Sequence, residues 1–273
     1  MRKFGLVMCL AASSGLVGSA AAAQTAASDI VAVNVVQGWA SGNGHDVAAI
    51  HIRLAPGWKT YWRLPGDSGI PPVFDWSASS NVASVGISWP HPEVYEDDGV
   101  RTIGYKSEVY LPLDLVARNP ASPMRLSGRA ALGVCREICM PVEVAFSSDI
   151  TPGAAPGPAA PAIRAALASV PRAGLAAATA SCEVSPIRDG LRLTARIKVA
   201  PQGSPEFVFL EPDRDDLWIS PAETHREGGT LTASAELVAP DAQPFALNRS
   251  ALAFTVLGRD GSVAFRGCTP GPG

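Results

Sequence analysis

Basic clusters are missing from this sequence: its 22 Lys and Arg stand against 25 Asp and Glu, and they form no basic block and no basic–aromatic interleaving. A nucleic-acid partner needs a concentrated positive surface, so none is expected. Beyond the first residues no apolar run approaches the roughly 20 that cross a bilayer, so the processed chain is not expected to insert into a membrane. Histidine is scarce: His45, His51, His91 and His225 lie scattered, with no spacing that suggests a metal site or a catalytic triad, and no cofactor or resident metal is expected from them. Cysteine is scarce too, with five in the chain.

What is present begins with an export signal. Arg2 and Lys3 supply a positive start, Phe4 to Val17 an apolar run, and Ala21 to Ala23 a small-residue cleavage site, so residues 1–23 read as a signal peptide. Cys9 lies too early in that run, behind a bulky Met8, to be a lipidated start. Removing Arg2 and Lys3 takes the formal charge from −3 to −5. The processed chain keeps Cys135, Cys139, Cys182 and Cys268. An even number in an exported protein points to disulfides and an oxidising compartment, the periplasm. Four cysteines allow three pairings, and spacing favours Cys135 with Cys139 and Cys182 with Cys268.

The composition breaks between Thr151 and Pro161, a stretch of Pro, Ala and Gly that reads as a semi-stiff linker. Ala162 to Val170 is a short helix candidate stopped by Pro171, and an Ala-rich segment leads on to Cys182. The signals on both sides are β. Val47 to Leu54, Val82 to Trp89, Val109 to Val116 and Arg125 to Val134 read as strands, separated by turn clusters at Pro65 to Gly69 and Asp97 to Gly99. Further on, Leu191, Leu193, Ala195, Ile197 and Val199 alternate with Arg192, Thr194, Arg196 and Lys198, the pattern of a half-buried strand. Leu231 to Val238 and Ala251 to Leu257 follow suit. The expected fold is all-β: two immunoglobulin-like β-sandwich domains, at 28–150 and 181–273, joined by a Pro/Ala/Gly-rich linker at 151–180.

Cys135 and Cys139 bracket Arg136, Glu137 and Ile138. In an extended chain their Cα atoms would lie roughly 13 Å apart at about 3.3 Å per residue, whereas a disulfide needs them within about 7 Å. The three intervening residues must therefore form a tight turn. A bond closing so small a loop constrains the unfolded chain little, about 2 kcal/mol in the loop-entropy description, while Cys182–Cys268 would enclose nearly a whole domain for roughly 4 to 5 kcal/mol. The long loop reads as a structural clasp and the short one as a redox pair. Arg136 favours a thiolate and Glu137 opposes it.

Three motifs in order carry a resemblance: Gly57 to Arg63, Gly104 to Pro112, and Cys135 to Pro141. They are similar to the N-terminal periplasmic domain of DsbD, and Trp58 to Pro72 is more similar still to its ScsB-like branch. The likeness covers about residues 30 to 150 well and the second domain more weakly. It implies an immunoglobulin-like domain that exchanges disulfides, with Cys135 and Cys139 as the exchanging thiols and Cys139 forming the mixed disulfide. Glu96 to Lys106, with Ile103 and Tyr105, matches the loop that caps the pair in that family. Tyr61 and Trp62 match aromatic positions beside it, and Arg136, Met140 and Pro141 complete the surround. The implied partners are a thioredoxin-like or membrane thiol reductase as electron donor and an oxidised periplasmic protein as acceptor. The cysteine spacing is shorter here than in DsbD. The sequence also carries no membrane or thioredoxin-like domain, so the expected donor is a separate protein.

Two other readings use the same residues. Two thiolates beside Met140 are soft ligands suited to Cu(I), and both disulfides could be inert braces of a scaffold. Trp58, Tyr61 and Trp62 read equally well as sandwich core, Arg192, Arg196 and Lys198 as a solvated face, and Asp97-Asp98-Gly99 as a turn.

Overall fold

Residues 27–97, 99–174 and 178–271 are described by the structure, a computed structural model; the signal peptide and Asp98 lie outside the described residues. The chain forms a pair of two-sheet sandwiches. A four-residue helix α1 (Ala27–Ile30) leads into the first, whose strands are β1 (Val31–Gly42), β2 (His45–Leu54), β3 (Lys59–Gly66), β4 (Val73–Asp75), β5 (Val82–Ile87), β6 (Glu93–Asp97), β7 (Val100–Lys106), β8 (Glu108–Ala117), β9 (Met124–Cys135) and β10 (Cys139–Ile150). One sheet runs β1-β2-β8-β5 and the other β10-β9-β3-β7-β6, with β4 also on β9. Period-two alternation sends Ile50, Ile52, Leu111, Leu113 and Leu115 inward from the first sheet to meet Leu126, Leu132 and Val134 of the second. The β1–β2 turn uses Gly42, Asn43 and Gly44, all at positive φ, which Gly and Asn tolerate best.

The segment after β10 is laid against the first sandwich. Gly153 donates its N–H to the Asp46 carboxylate, Ala40 donates to the Ala154 carbonyl and Gly157 to that of Gly38. Helix α2 (Ala160–Ala168) follows, burying Ile163 against this domain.

The second sandwich contains β11 (Arg172–Ala173), β12 (Ala178–Ile187), β13 (Gly190–Val199), β14 (Phe207–Glu211), β15 (Trp218–Ile219), β16 (Glu223–Glu227), β17 (Thr230–Val238), β18 (Ala253–Leu257), β19 (Ser262–Arg266) and β20 (Thr269–Pro270). Its sheets run β11-β19-β18-β14 and β15-β17-β13-β12-β20, with β16 on β17. Along β13 the alternation read from sequence is realised: Leu191, Leu193, Ala195, Ile197 and Val199 are buried, and Arg192, Arg196 and Lys198 are exposed. Cys182, buried in β12, bonds Cys268 just before β20 with Cα atoms 5.7 Å apart, joining the two ends of the domain.

The domains meet along the outward row of β14. Val208 and Leu210 point into their own core, so Phe207, Phe209 and Glu211 point out. Phe207 lies under the Arg101 guanidinium at 4.4 Å, Phe209 meets the Trp62 ring edge-on at 5.5 Å, and Glu211 accepts from Arg63 at 3.0 and 2.8 Å. At the far side His91 shares a 3.0 Å hydrogen bond with Ser262, and burial pushes its pKa below the ordinary value, favouring the neutral ring.

Candidate redox site

Strands β9 and β10 pair without a break from Met124 opposite Ile150 to Cys135 opposite Cys139. The hairpin therefore delivers the two cysteines as its last facing pair. Arg136 to Ile138 make the turn, and the Cα atoms of Cys135 and Cys139 stand 4.0 Å apart, bonded through sulfur. Non-hydrogen-bonded pairs of an antiparallel ladder sit at about 4.5 Å, so the strand geometry itself brings the thiols together.

The two sulfurs have unequal surroundings. Cys135 is 6 % exposed, whereas Cys139 is open to solvent and flanked by Ile138, itself 73 % exposed. Behind Cys139 stands Tyr61, whose hydroxyl donates to the Cys139 sulfur at 3.2 Å. Tyr61 is buried, and that burial raises the phenol above its usual pKa, so it stays protonated as a donor at neutral pH.

The Tyr61 ring is clamped between two glycines. A Cβ on Gly69 would come within 2.7 Å of Tyr61 Cδ1, and one on Gly133 within 2.7 Å of Cδ2 and 2.6 Å of the Ile70 Cβ. Only a residue without a side chain admits the ring on each side. Thr60 fixes the strand beneath by donating its hydroxyl to the Gly133 carbonyl at 2.8 Å. Lys59 is the register partner of Cys135, so its cationic side chain leaves the sheet on the same face as the disulfide. Gly69, Ile70, Gly133, Thr60 and Lys59 were not singled out from sequence. They stood there only within turn clusters and the longer family-like runs, with no role of their own, and the clamp exists only once β3 and β9 are neighbours.

Of the residues proposed to surround the pair, the structure gathers some and separates others. Tyr61 touches Cys139. Arg136 lies in the turn with its guanidinium over the Trp58 ring at 5.5 Å, and Pro141 is exposed on the Cys139 face of β10. Met140 is on the opposite face and packs against the core, so it does not stand beside the thiols as a third soft ligand. Trp62 also points away from the disulfide, fully buried against Phe209. Glu96, Ile103 and Tyr105 belong to a β6–β7 hairpin rather than an open loop. β7 reaches the redox end only at Lys106, across Lys59 from Cys135, and its turn lies six residues earlier, about 20 Å away along the strand at about 3.3 Å per residue. Glu96 pairs with Arg101 and lines a cavity with Pro205 and Phe207 of the second domain. Ile103 is core, and Tyr105 donates to the Pro90 carbonyl at 2.8 Å, its phenol pKa raised by burial. Val94 to Asp97 pair with Val100 to Ile103 in an antiparallel ladder, so these residues are strand rather than a free loop over the sulfurs.

Fold and site together define a class: tandem immunoglobulin-like sandwiches with an accessible disulfide at the tip of a hairpin in the first. Residues 27–150, the first domain, match the family described as thiol:disulfide interchange protein DsbD, N-terminal. The whole two-domain fold is similar to the crystal structure of the N-terminal periplasmic domain of ScsB from Proteus mirabilis, with a TM-score of 0.63 and 21 % identity over 88 % of this chain and 92 % of that one. No curated protein gives a significant match to the sequence.

Proposed function

We propose that the protein is a periplasmic thiol:disulfide interchange protein that relays electrons through Cys135 and Cys139, with Cys139 the sulfur that partners engage. The observation that carries this reading is the asymmetry of the pair: Cys139 exposed with a hydroxyl donor at 3.2 Å, Cys135 buried.

In the reducing direction, a thiolate of a thioredoxin-like or membrane-bound dithiol donor attacks Cys139 Sγ. The Cys135–Cys139 bond breaks, and Cys135 sulfur leaves with the electron pair and takes up a proton. The donor's second thiolate then attacks its own sulfur in the mixed disulfide, and Cys139 departs as a thiolate that the Tyr61 hydroxyl stabilises. The donor dithiol has become a disulfide and the Cys135/Cys139 pair a dithiol, a two-electron exchange. With an oxidised periplasmic protein the sequence runs forward from the Cys139 thiolate, which attacks the client disulfide; Cys135 then attacks Cys139 sulfur and releases the reduced client.

Burial of Cys135 keeps partners away from it and in place to resolve the mixed disulfide. The second disulfide, Cys182–Cys268, is assigned no exchange, because Cys182 is sealed in the core of its own domain.

The test is capture. A reduced Cys135→Ala chain, left with Cys139 and no resolving thiol, should retain an oxidised periplasmic protein as a mixed disulfide, and a Cys139→Ala chain should not. Equal capture by the two variants, or capture by neither, refutes the assignment.

A further inference from the structure

Consecutive residues of β3 carry the redox site and the domain interface. Tyr61 donates to Cys139, Trp62 packs on Phe209, and Arg63 forms two hydrogen bonds to the Glu211 carboxylate and one to the Thr255 hydroxyl at 3.1 Å. Tyr61 is also where the ladder stops. It is the last β3 residue in register with β7, opposite Gly104, and pairing resumes only at Gly66 opposite Thr102. Between those points Trp62, Arg63, Leu64 and Pro65 stand against Ile103 alone.

A bulge of this kind re-aims the strand and has no ladder bonds of its own to fix it. The first domain's core takes the Trp62 ring, and the second domain packs on the bulge from the other side. Trp62 and Arg63 are held by β14, and Leu64 and Pro65 face Phe209 and Leu210 across a cavity of about 560 Å³. On its other side Pro65 closes on Gly69, one of the two glycines that clamp the Tyr61 ring.

We propose that the second domain is a working part of the redox site, with Phe209 and Glu211 as positioning residues that hold the β3 bulge so that the Tyr61 hydroxyl stays on the Cys139 sulfur. The inference rests on reading Cys135 and Cys139 as an exchanging pair. It assigns the second domain a task that its own disulfide does not supply: setting the reactivity of a thiol in the neighbouring domain. Undocking β14 removes the contacts to Trp62 and Arg63 on that side, and the donor one residue upstream is held less closely to sulfur. A Cys139 thiolate without that donor is less stabilised, so its thiol pKa rises.

The experiment uses full-length, reduced chains and reads the Cys139 thiol pKa from the pH dependence of iodoacetamide alkylation. Glu211→Ala and Phe209→Ala should each raise that pKa, in the same direction as Tyr61→Phe, and slow alkylation below it by about threefold per unit. Glu211→Gln, which keeps the side-chain volume, should give a smaller rise and covers the case in which an alanine variant does not fold. Adding Glu211→Ala to Tyr61→Phe should change the pKa no further, because both act through one hydroxyl. The proposal is overturned if the β14 variants melt earlier with the thiol pKa unmoved, or if their effects add to that of Tyr61→Phe. An unmoved pKa in Tyr61→Phe itself also overturns it, while capture by Cys135→Ala reports separately on whether the pair exchanges at all.

Discussion

Replacing Tyr61 by Phe removes one oxygen and leaves the ring in its slot between Gly69 and Gly133. The lost interaction is a single O–H donor 3.2 Å from the Cys139 sulfur. In the oxidised protein that sulfur is a weak, uncharged acceptor, so stability should change by no more than about 1 kcal/mol, the typical net worth of a neutral hydrogen bond. In the reduced protein the acceptor is a thiolate. Hydrogen bonds to charged groups contribute about 1.5 to 3 kcal/mol, which corresponds to about 1 to 2 pKa units at 1.36 kcal/mol per unit.

Rate follows pKa less than proportionally. A thiol one unit less acidic has about a tenth of the thiolate below its pKa, but that thiolate is about threefold more nucleophilic for a Brønsted slope near 0.45, so the net loss is about threefold per unit. Tyr61→Phe should therefore exchange about three- to tenfold more slowly at pH 7, with a thermal midpoint close to that of the parent. Alkylation rate against pH, with thermal unfolding of the oxidised protein alongside, measures both arms. An unchanged pKa with unchanged stability would refute the role given to the hydroxyl.

Gly133→Ala should destabilise the oxidised protein by about 1 to 3 kcal/mol, the usual penalty for overpacking, since the new Cβ would lie 2.6 Å from Ile70 and 2.7 Å from Tyr61. It should also raise the Cys139 thiol pKa as the ring is displaced; denaturant unfolding and alkylation report the two effects. Replacing Cys182 and Cys268 together by Ser should cost about 4 to 5 kcal/mol, against about 2 for Cys135 and Cys139, with exchange at the first pair retained in whatever fraction stays folded. For His91 the folded-state pKa is depressed by burial, so the unfolded chain takes up a proton first. Stability should thus be full above about pH 6.5, the ordinary histidine value, and fall as pH drops through the window down to the folded-state pKa. His91→Gln should remove that part of the slope in denaturant titrations; identical slopes in the two proteins would contradict the burial argument.

Some of this was legible because the sequence pattern has one cause. Along β13 every second residue is apolar and the others are charged or hydroxylic, so strand, face and burial follow together. The Cys135–Cys139 turn was likewise forced by the length of the chain between them. Other features depend on neighbours that no local pattern reveals. Phe207 to Leu210 are all apolar because β14 buries one row in its own core and presents the other to the first domain, and a continuous run hides that division. Tyr61 and Trp62 both looked like companions of the disulfide, yet consecutive strand residues face opposite ways, and only Tyr61 reaches sulfur. Glu96 to Lys106 matched a capping loop by position, but it belongs to a hairpin that no apolar alternation announces, with Glu96 and Arg101 beside Phe207 of the second domain.

The central claim is that Cys135–Cys139 opens and closes in service while Cys182–Cys268 does not. Equilibrating the oxidised protein with a series of thiol–disulfide buffers, then alkylating and resolving each cysteine by mass, tests it directly. The account predicts that the Cys135–Cys139 bond titrates at a potential above about −300 mV, within reach of thioredoxin-like dithiols, while Cys182–Cys268 stays closed until well below that value. Should both bonds resist reduction down to the same potential below about −300 mV, the first is a brace like the second and the exchange reading is wrong.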